Sequence, residues 1–164
     1  MGPDDLTRSH AMQDALEVLA PGGVDGPARV EPLEVTDAQN FLADEQQPLD
    51  SLSRYVLRGP VGGIPTDSFW SFTMYEATAD GRRFFVGNPI GRCSIGNRTD
   101  GLVVASDGSM EIALQRTSPA EPQLRANWLP TPAGTFQIAL RCYAPRAELR
   151  EGRVAMPGIV RLDA

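Results

Sequence analysis

Between residues 67 and 143, polar side chains sit among aromatic ones. Asp67 precedes "SFW", and Tyr75 closes the stretch that follows, on the face of Phe69. Asn88 lies in "GNPIGR", and Arg92, Asn97 and Arg98 lie in and beside "CSIGNRTDGL". Asn127 and Trp128 open "NWLPTP", and Arg141 points away from the apolar side of "GTFQIALRCY". A guanidinium fork matches a carboxylate or sulfate, and Tyr, Asn and Trp add hydrogen bonds and flat walls. Such a set could hold a small anionic ligand. The same residues have a plainer reading. Asn and Asp in turns bond their own backbone, and an Arg on the second face of a strand is solvated or paired. Both readings stay open at this level.

Other chemistry is excluded more firmly. His10 is the one histidine, and it lies near the N-terminus. A Ser-His-Asp or Cys-His arrangement therefore has one candidate base, badly placed. One His and two distant cysteines, Cys93 and Cys142, have no zinc-ligand spacing. "PVGGIP" is not a phosphate loop, because no Gly-Lys-Ser/Thr follows. All 15 basic residues are Arg, so no lysine is available for a Schiff base or as a general base. A net charge of −6 repels phosphate backbones, so nucleic acid is not an expected partner. Neither metal nor cofactor is expected. Two cysteines say little about compartment, and buried free thiols are the simplest account of them. "MGPDDLTRSH" is polar rather than signal-like, and no apolar run approaches the length of a membrane span. As written, the chain is expected to be soluble and cytoplasmic.

The elements that must position these residues divide into two regions. Residues 1–58 read as a helical and extended lead-in. Leu6, Met12, Leu16 and Leu19 recur near helical spacing before "PGG", and a Pro- and Gly-rich stretch follows. A second helical patch, "TDAQNFLADEQQPLDSLSRYVL", is divided at Pro48. Residues 59–164 read as a β-sandwich domain. "SFWSFTMYEA" is aromatic and β-branched, and Asp80-Gly81 supplies a tight turn before "RRFFVG". "GLVVASDGSMEIALQRT" repeats the device around Asp107-Gly108. Met110, Ile112 and Leu114 alternate with polar or small residues, as do Phe136, Ile138, Leu140 and Cys142. The pattern predicts a mostly β, antiparallel, jelly-roll-like sandwich with one or two short N-terminal helices.

The run "DSFWSFTMYEA…FFVGNPIGRCSIGNRTDGL…DGSMEIALQRTSP…NWLPTPAGTFQIALRCYAP" resembles the bacterial domain of unknown function numbered 1214. The resemblance covers about residues 59–157, in several ordered motifs. Family members commonly follow a domain of unknown function numbered 1254 on a longer chain, and relatives are often exported. The resemblance implies a jelly-roll-like sandwich and no established reaction. Its pattern falls on Trp70, Tyr75, Asn88, Arg92, Ser94, Gly96, Arg98, Asn127, Trp128, Pro130, Arg141 and Tyr143. Cys93 stands where the family has an aromatic, Asn97 where it has Asp, and Cys142 where an aliphatic is common.

The expectation from residues and resemblance together is a β-sandwich binding or assembly module, acting with a partner chain or as an oligomer. The alternative is a hydrolase-like enzyme on a small anionic or amphiphilic substrate, using Arg92, Arg98 and Tyr75. Within "SIGNRT", Gly96 is expected at positive φ, and Arg98 is expected to be held by a carboxylate, with Asp67 and Asp100 as candidates.

Overall fold

The chain alternates inward apolar and outward polar or small residues along its longest strands, and that alternation builds two facing sheets around one core. The computed structural model describes residues 33–35 and 49–162, apart from 81, 86 and 156. The helix expected over Leu6–Leu19, the linker after it and the segment 36–48 lie outside the described residues. The residues that are described belong to one compact unit, Pro32–Ala164.

Among the described residues ten strands follow in order: β1 (Leu33–Val35), β2 (Leu49–Asp50), β3 (Tyr55–Gly59), β4 (Trp70–Ala77), β5 (Arg83–Phe84), β6 (Ser94–Gly96), β7 (Met110–Gln115), β8 (Trp128–Pro130), β9 (Thr135–Cys142) and β10 (Gly158–Arg161). Two short helices, α1 (Pro122–Ala126) and α2 (Ala147–Arg150), interrupt them. The first sheet runs β1-β9-β4-β5, with β2 also beside β9 and β6 also beside β4. The second runs β10-β3-β7-β8. Trp70, Phe72 and Met74 of β4 and Phe136, Ile138, Leu140 and Cys142 of β9 meet Tyr55, Leu57, Ile112, Leu114 and Ile159 of the other sheet in one cluster. β4 and β9 are paired over seven residues, from Trp70 opposite Cys142 to Glu76 opposite Phe136.

Three sequence expectations are corrected. The stretch after Pro48 is not helical, because it forms β2 and β3. Leu49 and Leu52 are three residues apart, as one helix face would require. In the fold Leu49 is buried, whereas Leu52 is 92% exposed in the turn between the strands. Tyr55 and Leu57 point into the core and Arg58 points out, which is the period of a strand. Second, the sheets are not wholly antiparallel. β7 and β8 run parallel, and α1 lies in the connection that returns the chain, as a parallel pair requires. Third, "GLVVA" is no hairpin arm. The turn at Asp107-Gly108 is tight, with Gly108 at φ +83° and Ala105 N–H donating to Ser109 O at 2.8 Å. The residues before it are not a strand, and Val103 and Val104 are exposed. At the other expected turn, Thr78 N–H donates to Arg82 O at 3.1 Å, and the Asp80 carboxylate accepts from Arg82 Nε at 2.6 Å. Gly81 itself lies outside the described residues. Among the described residues, no helix is long and apolar enough to cross a membrane.

Candidate functional site

Five of the eight expected site residues are engaged with backbone groups. The Asn88 Oδ1 accepts from Ile90 N at 3.3 Å and Arg92 N at 3.0 Å, and its Nδ2 donates to Arg92 O at 2.7 Å. It closes its own turn, as Asn side chains in loops do. Arg92 Nη1 donates to Ala126 O at 3.0 Å and Trp128 O at 2.9 Å. It clamps the corner where α1 ends and β8 begins. Asn97 Oδ1 accepts from Trp70 N at 3.1 Å and so fastens the β6 turn to the start of β4. Asn127 is only 3% exposed. Its amide treats Val103 as a strand partner would, accepting from Val103 N at 2.8 Å and donating to Val103 O at 2.7 Å. It also donates to Glu111 O at 3.0 Å. Trp128 Nε1 donates to Gln115 O at 2.8 Å, which lays the indole against β7.

The three remaining residues lie along the outer face of the first sheet, Arg98 at one end and Tyr75 with Arg141 at the other. Strand parity explains this. Residues 70, 72 and 74 of β4 face the core, so Ser71, Thr73 and Tyr75 face away, with Phe69 before them. Residues 136, 138, 140 and 142 of β9 face the core, so Gln137, Ala139 and Arg141 face away, with Tyr143 after them. At one end Phe69 stacks on Tyr143 with ring centroids 4.1 Å apart, and the Arg98 guanidinium lies 4.3 Å from the Phe69 centroid. At the other end Tyr75 stacks on Phe85 at 5.1 Å. The Arg141 guanidinium lies 5.6 Å from the Tyr75 ring, and its Nη1 donates to Thr73 Oγ1 at 3.4 Å.

Tyr75 and Gln137 are directly opposite in the β4–β9 register, so their side chains are neighbours on this face. The Tyr75 hydroxyl and the Gln137 Oε1 are both buried without a hydrogen-bond partner. A third such atom, Thr131 Oγ1, belongs to the residue after β8, away from this face. Sequence reasoning missed Phe85, Thr73 and Gln137 as members of the set. The signal was available in part: Thr73 and Gln137 follow by parity from Tyr75 and Arg141.

Arg98 corrects an expectation. Asp67 is taken by Arg146, whose Nε donates to Oδ1 at 2.8 Å. That contact holds the Arg146 guanidinium pKa above its usual value, through the hydrogen bond first and the charge second. Arg98 is exposed and rests on a ring instead of a carboxylate. Gly96 is not at positive φ; Gly101 is, at +76°. Gly96 is required by close approach, since a Cβ there would lie 2.1 Å from Trp70 O.

The cysteines are free. Burial pushes the Cys142 thiol up to about 11, so it stays protonated at neutral pH. Among the described residues no cluster of three His, Cys, Asp or Glu side chains could hold a metal. The arrangement offers hydrogen bonding, ring stacking and positive charge on one sheet face.

Residues 35–147 match the family DUF1214, described as a protein of unknown function. The fold is similar to that of the VPA0106 protein from Vibrio parahaemolyticus, with TM-score 0.64 and 25% identity, over 86% of this chain and 33% of that one. An uncharacterized protein from Burkholderia cenocepacia matches with TM-score 0.49 and 23% identity, over 100% of this chain and 44% of that one. The chain thus spans less than half the length of either. No curated protein matches it.

Proposed function

We propose that this chain, which belongs to the DUF1214 family, is a binding module whose recognition surface is the outer face of the six-stranded sheet. One observation carries the proposal: the Tyr75 Oη and the Gln137 Oε1, on residues directly opposite across β4 and β9, are both buried with no hydrogen-bond partner. A stranded buried polar group costs about 1–3 kcal/mol, and folds rarely keep two together without a use for them. Tyr75, Thr73 and Ala139 are themselves buried, so a ligand has to open this end of the face before its own hydrogen-bonding groups can remove that cost. Binding is favoured over hydrolysis because Arg92, one of the residues a hydrolase reading relied on, is spent on two carbonyls.

Native mass spectrometry on protein purified from its own cells tests this. A non-protein mass should accompany the wild type and be absent from the Tyr75→Phe/Gln137→Leu double variant. A bare chain in both, with the variant melting at the same or a higher temperature, would show that the two atoms are only a tolerated cost.

An assembly role is the second reading. It is favoured by the exposure of Leu52 and Val61, at 92% and 75%, and by the far greater length of the Vibrio chain. It predicts a self-associated species in light scattering that Leu52→Asp or Val61→Asp disperses. A monomer at all concentrations would remove it as a homo-oligomer.

A further inference from the structure

We infer that the Arg98 end of this face is a subsite for a carboxylate. The inference deepens the reading of the outer face as a recognition surface and rests on it. In a chain with 21 acidic residues, most well-placed arginines have found a carboxylate or a carbonyl. Arg58 pairs with Glu111, Arg82 with Asp80 and Arg146 with Asp67. Arg92 and Arg125 donate to backbone carbonyls. Arg98 differs. Among the described residues its contact is the Phe69 ring, and its N–H donors meet no acceptor.

Its position is fixed all the same. Tyr143 N–H donates to Phe69 O at 2.8 Å, continuing the β4–β9 pairing past Trp70 and Cys142. This holds Phe69 against Tyr143 at an interplanar angle of 17°. The guanidinium therefore caps a two-ring stack that the sheet itself organises, and the two residues before it are tied down. The Gly96 N–H donates to Thr99 Oγ1 at 2.9 Å, and the Asn97 Oδ1 accepts from Trp70 N at 3.1 Å. The ring contact and the tied backbone before it narrow the conformations open to Arg98, which lowers what a ligand has to order on binding. The guanidinium carbon lies 4.3 Å from the Phe69 centroid and its N–H groups meet no acceptor among the described residues, which leaves the fork for a planar anion such as a carboxylate, which it fits two-pronged. Asp67, one of the two acids expected to hold Arg98, is paired with Arg146 instead. Asp100, two residues along, is exposed and makes no hydrogen bond or ion pair with the described residues.

The experiment is an NMR titration of the intact protein with benzoate, followed at the Arg98 Nε–Hε resonance. Benzyl alcohol serves as the uncharged control and inorganic phosphate as the non-planar one. Benzoate should shift that resonance saturably, and neither control should. Arg98→Lys keeps the charge and loses the fork, so it should weaken benzoate binding roughly ten-fold or more, and Arg98→Ala should abolish it. Arg98 is exposed, so both variants should retain the wild-type amide spectrum. Equal binding by wild type and Arg98→Lys, phosphate binding as strong as benzoate, or no saturable shift would each overturn the inference. The Tyr75→Phe/Gln137→Leu protein separates the two proposals. If benzoate still binds there while wild type carries no ligand from cells, the face reading fails and the carboxylate subsite survives. A ligand from cells without benzoate binding gives the reverse.

Discussion

Replacing Asn127 with Ala should destabilise the protein by about 2–4 kcal/mol without touching recognition. The estimate comes from what the side chain does. It makes three hydrogen bonds to backbone, at 2.7, 2.8 and 3.0 Å, from a position 3% exposed. A net hydrogen bond contributes about 0.5–1.5 kcal/mol, and a buried group left unpaired costs about 1–3. Val103 is partly exposed, so water can reach its freed N–H and C=O, which lowers the total. Glu111 O loses its Asn127 donor as well. Urea unfolding at pH 7 should show a lower midpoint with an unchanged slope, the sign of lost stability without a changed unfolded state. The Val103 amide should also exchange with solvent far faster than in wild type. Asn127→Asp is the sharper variant. It keeps the acceptor for Val103 N but sets a carboxylate against two carbonyl oxygens. The folded state would raise that carboxyl's pKa, so the penalty should be present at neutral pH and relieved on acidification. A loss below about 0.5 kcal/mol for Asn127→Ala, the range of ordinary surface changes, would refute the structural role. Benzoate binding lost in a folded Asn127→Ala protein would move the residue back into the recognition site.

Gly96→Ala should prevent folding or cost more than about 3 kcal/mol, since its Cβ would lie 2.1 Å from Trp70 O and neither backbone can move without breaking the β4–β6 pairing; soluble yield and melting temperature report this, and a near-normal variant would contradict the geometry. At pH 8 a thiol reagent should label Cys93 and spare Cys142 until the protein unfolds, and rapid labelling of both would mean that the core opens easily. The Cys142 pKa rises from 9.0 to about 11 on folding. Between those values the unfolded chain releases a proton that the folded one keeps, so the thiol's contribution to stability should be constant below pH 9 and be lost above it, and Cys142→Ala should remove that loss. Replacing Cys93 with Ser should leave ligand binding intact, and loss of binding in a folded Cys93→Ser protein would count against the site as drawn.

The parts of the fold that sequence revealed are those where side chains decide. β4, β7 and β9 each carry an inward apolar set at period two, and each is a strand. The misread parts are those where backbone decides. "LDSLSRYVL" has leucines at helical spacing, and only the pairing of β3 with β7 and β10 makes the strand period win. The crossover to a parallel β8 depends on where Trp128 packs, which no local pattern encodes. The same distinction runs through the candidate site. Polar residue types showed that something binds to Asn88, Arg92, Asn97 and Asn127, but types do not separate a ligand from a carbonyl of the chain itself. Parity does better. It groups Tyr75 with Phe69 along β4 and Arg141 with Gln137 along β9, and the register then sets Tyr75 beside Gln137. For Arg98 the local sequence misled, because Asp100 stands two residues away and Asp67 stands two residues before Phe69, the ring that Arg98 meets. The deciding residue was Arg146, 79 positions from Asp67, which takes that carboxylate and leaves Arg98 to a ring. An arginine's partner is a property of the whole charge arrangement, and among the described residues Arg98 meets a ring and no carboxylate, which is where the proposed subsite starts from.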